Sequence, residues 1–176
     1  MSSPEDWIYL AGFFDGEGSC GIMRETRRKV NYYPFLGVCN TDKAIVEWFS
    51  SKIKEVCDGY VQFKETKDID RRPLGKPVYR VQIRKSEAVK RVLEKLLPHL
   101  RVKKHIACLL IEYIDLKARR HEDRSQLGAA RRHERMELSH EEKVLIEKIR
   151  NSNRRRECAK EGEAVGKPEC DQHEDE

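Results

Sequence analysis

Residues 10–18 read Leu10-Ala11-Gly12-Phe13-Phe14-Asp15-Gly16-Glu17-Gly18. They join an apolar helix to a turn bearing two carboxylates. Upstream, Ser2 or Ser3 can cap the helix, and Pro4 suits its first position. Glu5 and Asp6 sit where the helix dipole favours acids. Trp7, Leu10, Ala11 and Phe14 recur at helical spacing and give one apolar face. Gly16 and Gly18 then stop the helix. Gly12, inside an otherwise good helix, costs about 1 kcal/mol relative to alanine. A packing reason explains it best: Ala11 and Gly12 remove side-chain bulk so that another backbone can come close. Two acid-bearing helix ends brought together in this way would repel, and a divalent cation relieves that repulsion.

Working outward, Cys20–Lys29 and Tyr32–Cys39 read as two strands of a hairpin. Asn40-Thr41-Asp42 offers caps for a second helix, with Ala44, Ile45, Trp48, Phe49 and Ile53 at helical spacing. Asp58-Gly59 marks a turn. Tyr60–Lys64 and Val78–Arg84 form a second strand pair around a loop containing Pro73, Gly75 and Pro77. Ser86 is positioned to cap a third helix whose Val89, Val92, Leu93, Leu96 and Leu97 share a face. Pro98 interrupts it, and a fourth helix is expected from Lys103 to about Lys117. The order αββαββα followed by a further helix predicts an α+β fold with a four-stranded antiparallel sheet over residues 1–117. Residues 118–156 read as a basic, partly helical extension. Its one amphipathic helix is expected at Ser139–Ile149, opened by a Ser139/Glu142 capping box. Residues 157–176 read as an acidic, disordered tail.

Composition narrows the function. The chain has 176 residues, with 36 Lys+Arg against 31 Asp+Glu. Residues 1–117 carry 22 basic and 16 acidic residues, and residues 118–156 carry 12 and 7, whereas residues 157–176 carry 2 and 8. The basic excess over the first 156 residues points to a polyanion partner. No apolar run is long enough to span a membrane, and no secretory signal pattern opens the sequence. None of the six cysteines forms a CxxC pair. A soluble, intracellular protein with reduced cysteines is expected.

The nine-residue stretch, with this element order, resembles the LAGLIDADG homing endonucleases. The match is at Leu10, Ala11, Gly12, Asp15 and Gly18, with Glu17 in place of the family's final aspartate, and the likeness extends to about Lys117. The motif occurs once, which in that family implies a homodimer. The resemblance implies an interface helix carrying Trp7, Leu10, Ala11, Gly12, Phe14 and Asp15. It also implies that Glu17, with the Gly16 carbonyl, binds a divalent metal such as Mg²⁺. By position, Lys103 is the basic residue near the scissile phosphate. Asp42 (or Asn40 in a shifted register) positions the water, and Lys43 can add a second positive charge. The sheet would lie in the major groove of double-stranded DNA, with Met23, Glu25, Arg27, Lys29, Tyr33, Phe35, Gln62, Lys64, Arg80 and Gln82 as contact residues. The implied function is a site-specific, intron-encoded DNA endonuclease. The alternative from another class is a non-cleaving nucleic-acid binder such as an intron RNA maturase.

Overall fold

The computed structural model describes residues 3–26, 30–57, 62–66, 77–126 and 138–163. Helix α1 (Pro4–Glu17) leads into strands β1 (Gly18–Thr26) and β2 (Val30–Asn40), followed by α2 (Lys43–Val56). Strands β3 (Gln62–Thr66) and β4 (Val78–Ile83) precede α3 (Ser86–Leu96), α4 (Lys104–Gln126) and α5 (His140–Glu163). The strands pair antiparallel in the order β1-β2-β4-β3.

Local chemistry accounts for most of the boundaries. Ser3 and Asp6 close a reciprocal capping box at the start of α1: the Asp6 amide donates to Ser3 Oγ at 3.3 Å, and the Ser3 amide donates to Asp6 Oδ2 at 3.0 Å. Asp42 caps α2 by accepting from the Ala44 and Ile45 amides. Ser139 and Glu142 form the second capping box, at 2.8 and 3.1 Å. At α3 the expectation needs correction, because Lys85 is the capping position and makes no side-chain cap, while Ser86 is already helical.

Two helices run further than their apolar stripes suggest. Helix α4 continues past Lys117 to Gln126, through the charged run beginning at Arg119. Helix α5 extends past Ile149 to Glu163, into the stretch expected to be disordered. Tertiary pairing supports the polar part of α4 where periodicity does not. Buried Glu142 of α5 both closes its own cap and pairs with Arg120 of α4. The turn at Asp58-Gly59, the Pro73 loop, the Arg131–Arg135 run and residues 164–176 lie outside the described residues.

One face of the sheet forms the core. Leu36, Val38, Val81 and Ile83 are at most 2% exposed and pack with Leu10 and Phe14 of α1, Phe49 and Ile53 of α2 and Val89 and Leu93 of α3. The Phe14 and Phe49 rings stack at 6.5 Å. A Cβ at Gly18 would lie 2.1 Å from the Phe14 ring, so only glycine lets β1 leave the helix this tightly. Helices α4 and α5 tie down the backbone of the first hairpin. Tyr113 Oη and Lys117 Nζ donate to the Tyr32 carbonyl at 3.2 and 3.0 Å, and Asn153 Nδ2 donates to the Cys20 carbonyl at 3.3 Å. Burial pushes the Lys117 ammonium below its ordinary pKa and the Tyr113 hydroxyl up to about 12.

Because Leu36 is fully buried where the sheet meets α3, Leu36→Ala should cost about 2–5 kcal/mol of stability. Urea denaturation would measure this as a lower midpoint with an unchanged slope.

Candidate functional site

The end of α1 is where chain topology gathers the chemistry. The Asp15 carboxylate accepts three consecutive backbone amides: Arg101 at 2.7 Å, Val102 at 3.0 Å and Lys103 at 2.8 Å. Lys103 Nζ donates in return to the Asp15 carbonyl and lies 5.8 Å from the centre of the Phe14 ring. An acid from the C-terminal end of α1 thus serves the amides that lead into α4, and a base from that turn serves an α1 carbonyl. Each charge sits at the helix pole that favours it. Partial burial works against the ionised Asp15, but the three amides and the Lys103 charge outweigh it and hold the carboxyl below its ordinary pKa.

Glu17, the last residue of α1, is exposed, as is Gly16 beside it. A Cβ at Gly16 would meet nothing within 4 Å, so the backbone there is open to approach. The β1–β2 register pairs Gly18 with Val38. This sets the α1–β1 junction at the same end of the sheet as the β2–α2 junction, which holds Asn40, Asp42 and Lys43. In that junction Asn40 Oδ1 accepts the Asp42 amide at 2.9 Å, and Asp42 Oδ1 accepts the Ala44 amide at 2.9 Å. Lys43 pairs with Glu47 at 3.6 Å, and its ammonium lies 6.0 Å from the Tyr79 ring. The sheet end therefore gathers Glu17, Lys103 and the Asn40–Lys43 turn. Among the described residues, no group of three or more His, Cys, Asp or Glu side chains is placed to hold a metal ion.

Helix α1 turns four of the six expected interface residues inward. Trp7, Leu10, Ala11 and Phe14 are 8%, 0%, 0% and 0% exposed, all in the chain's own core. They cannot form an outer contact surface without unpacking it. The outward side carries Ile8 (55% exposed), Tyr9 (58%) and Gly12, and a Cβ at Gly12 would meet nothing within 4 Å. The sequence pattern could not separate the two sides, since α1 bears large apolar residues almost all round. Asp15 likewise is committed to the 101–103 amides.

The sheet presents its second face away from the core. Alternation and register put Met23, Glu25, Tyr33, Phe35, Arg80 and Gln82 on this face, opposite the side that buries Leu36, Val38, Val81 and Ile83. Gln62 and Lys64 take register positions opposite Gln82 and Arg80. Arg27 and Lys29 lie outside the described residues. Arg84, which the sequence reading did not select, joins this surface through its contact with Gln82. Its place at the edge of a predicted strand, two residues beyond Gln82, was the available signal.

No family model and no curated protein sequence matches the chain. Solved structures do. The homing endonuclease I-CvuI, in complex with its target, is 22% identical, with 90% of this chain and 94% of that one aligned at a TM-score of 0.57. The LAGLIDADG homing endonuclease I-GzeII, in complex with a DNA target, is 17% identical, covering 85% of this chain but 43% of its own length, at 0.52. The archaeal intron-encoded homing endonuclease I-Vdi141I, complexed with DNA, is 12% identical over 85% of this chain and 97% of that one, at 0.53. At these identities the likeness establishes a shared α+β fold. No helix among the described residues is long and apolar enough to cross a membrane.

The Asp15 clamp yields a pH signature. Its folded pKa lies below the unfolded value, so the folded state binds fewer protons. The stabilisation is complete above the normal aspartate range, near pH 4, and fades as pH falls through the lower folded value. Asp15→Asn should therefore lower the melting temperature at pH 7, and the gap from the parent protein should narrow as pH falls below about 4 in a differential scanning calorimetry series.

Proposed function

We propose that this chain is a homodimeric, site-specific DNA endonuclease of the LAGLIDADG homing type, cutting both strands of a long, nearly palindromic site. One arrangement carries the reading. An exposed acid ends a helix whose outer side is open, and that helix stands at the end of a sheet whose second face carries Glu25, Arg80 and Gln82 among the described residues. The protein neighbours solved with DNA add support by sharing this fold.

The helix side built from Ile8, Tyr9 and Gly12 would meet the same side of a second copy, bringing two Glu17 carboxylates together. Oxygen donors of this kind, Glu17 with the Gly16 carbonyl, suit a hard divalent cation such as Mg²⁺, and a single chain supplies too few of them. When bound, such a cation lowers the pKa of water and neutralises phosphate charge. The remaining tasks fall to the chain itself. Lys103, held by the Asp15 carbonyl, offers a fixed positive charge to the phosphate as negative charge develops. Asp42 and Asn40, at the neighbouring turn, are the candidates to orient the attacking water. Met23, Glu25, Tyr33, Gln62, Lys64, Arg80 and Gln82 would face the major groove, and Arg27 and the phosphate-binding candidate Lys29 join them as expectations from sequence that lie outside the described residues. Residues 1–117 would form the nuclease domain, with 118–156 a basic extension and 157–176 an acidic tail. Intron mobility is the biological role that this activity would serve.

Two measurements test the reading. A plasmid library of randomised sites, incubated with the purified chain and Mg²⁺, should yield site-specific double-strand cuts that EDTA prevents. Glu17→Gln should slow cutting roughly a hundredfold or more while binding survives. Site-specific binding by the parent chain without cutting would instead identify a non-cleaving nucleic-acid binder. In sedimentation, the parent chain should run as a dimer. Gly12→Arg should run as a monomer with its fold intact, because open space surrounds Gly12 within one chain and arginine is the better helix former by about 1 kcal/mol.

A further inference from the structure

On the open sheet face, Arg84 donates twice to one oxygen of Gln82, from Nη2 at 3.0 Å and from Nε at 3.3 Å. A carboxamide oxygen has two lone pairs, so Oε1 is fully engaged. Gln82 is left with its NH₂ group to offer, and Arg84 with its remaining guanidinium N–H groups. Every outward polar group of the pair is therefore a donor. Beside the pair, Gln82 has Gly37 as its β2 register partner and Gln62 as its β3 register partner. A Cβ at Gly37 would lie 2.7 Å from the Val81 carbonyl oxygen, and backbone packing therefore holds the position as glycine.

Resting on the DNA-binding reading above, we infer that Gln82 and Arg84 act as one donor-only reading unit that selects guanine rather than adenine at the base pair they meet. A glutamine reads adenine by accepting from the N6 amino group while donating to N7. Here the accepting half of that exchange is already consumed by Arg84. Adenine would present its amino hydrogen to a group with no lone pair left. Guanine presents two acceptors, N7 and O6, on the same edge, which matches the donors available. Arg84 thereby becomes a specificity residue in its own right and also fixes the orientation of Gln82.

The test uses the full-length chain and a randomised double-stranded DNA library, with bound molecules recovered and sequenced in Ca²⁺ buffer. Parent protein should enrich guanine at one position that loses its preference in Gln82→Ala. Arg84→Ala frees Oε1, so that same position should shift toward adenine by about tenfold or more, while other positions keep their preferences. Both side chains are on the surface, and a matching melting temperature for each variant confirms an intact fold. An adenine preference in the parent at the Gln82-dependent position, or no shift in Arg84→Ala, overturns the inference and leaves the nuclease reading standing. Absence of any sequence enrichment by the parent overturns both.

Discussion

The Asp15 carboxylate with the amides of residues 101–103 is the contact around which the candidate site is organised. Those partners lie 86 to 88 residues apart in sequence, so the contact exists only once the sheet and α3 have brought the two ends together. It does two things at once. It satisfies amides that a turn leading into a helix would otherwise leave without acceptors, and it fixes the backbone from which Lys103 projects. Lys103 answers from the other side through the Asp15 carbonyl and the Phe14 ring. A charged side chain held by its own stem and by its head loses less freedom on meeting a phosphate. The neighbouring Glu17 has no such clamp and stays open to solvent. A division of labour between adjacent acids follows from which one faces the 101–103 turn.

The sheet shows the same logic at larger scale. Period-two alternation commits Leu36, Val38, Val81 and Ile83 to the helices and, by the same geometry, turns Arg80 and Gln82 outward. A slip of one residue in any strand would bury charge and expose the core. The side chains the outer face presents are thus set by the hydrophobic demands of the inner one.

Much of this was legible in the sequence, because it depends on near neighbours. The Ser139/Glu142 capping box, the serine cap of α1, the Asp42 cap and the buried stripe of α3 follow from residues within a few positions of each other. The antiparallel strand pairs follow from alternation and turn residues. What escaped depends on distant partners. Nothing near Asp15 announces the 101–103 amides. Nothing in Arg119–Arg124 reveals that a buried glutamate from α5 makes Arg120 part of a helix–helix contact. The inward and outward sides of α1 were confused because Ile8 and Tyr9 look as suited to a core as Trp7 and Leu10. Only the position of the sheet decides between them.

The contact between Asn153 and the Cys20 carbonyl has a consequence for assembly. Strand β1 lies at one margin of the sheet, where unsatisfied backbone groups invite foreign strands to add on. By reaching across that margin, Asn153 of α5 occupies one of those groups. Edge recruitment of foreign strands is obstructed on this side of the sheet.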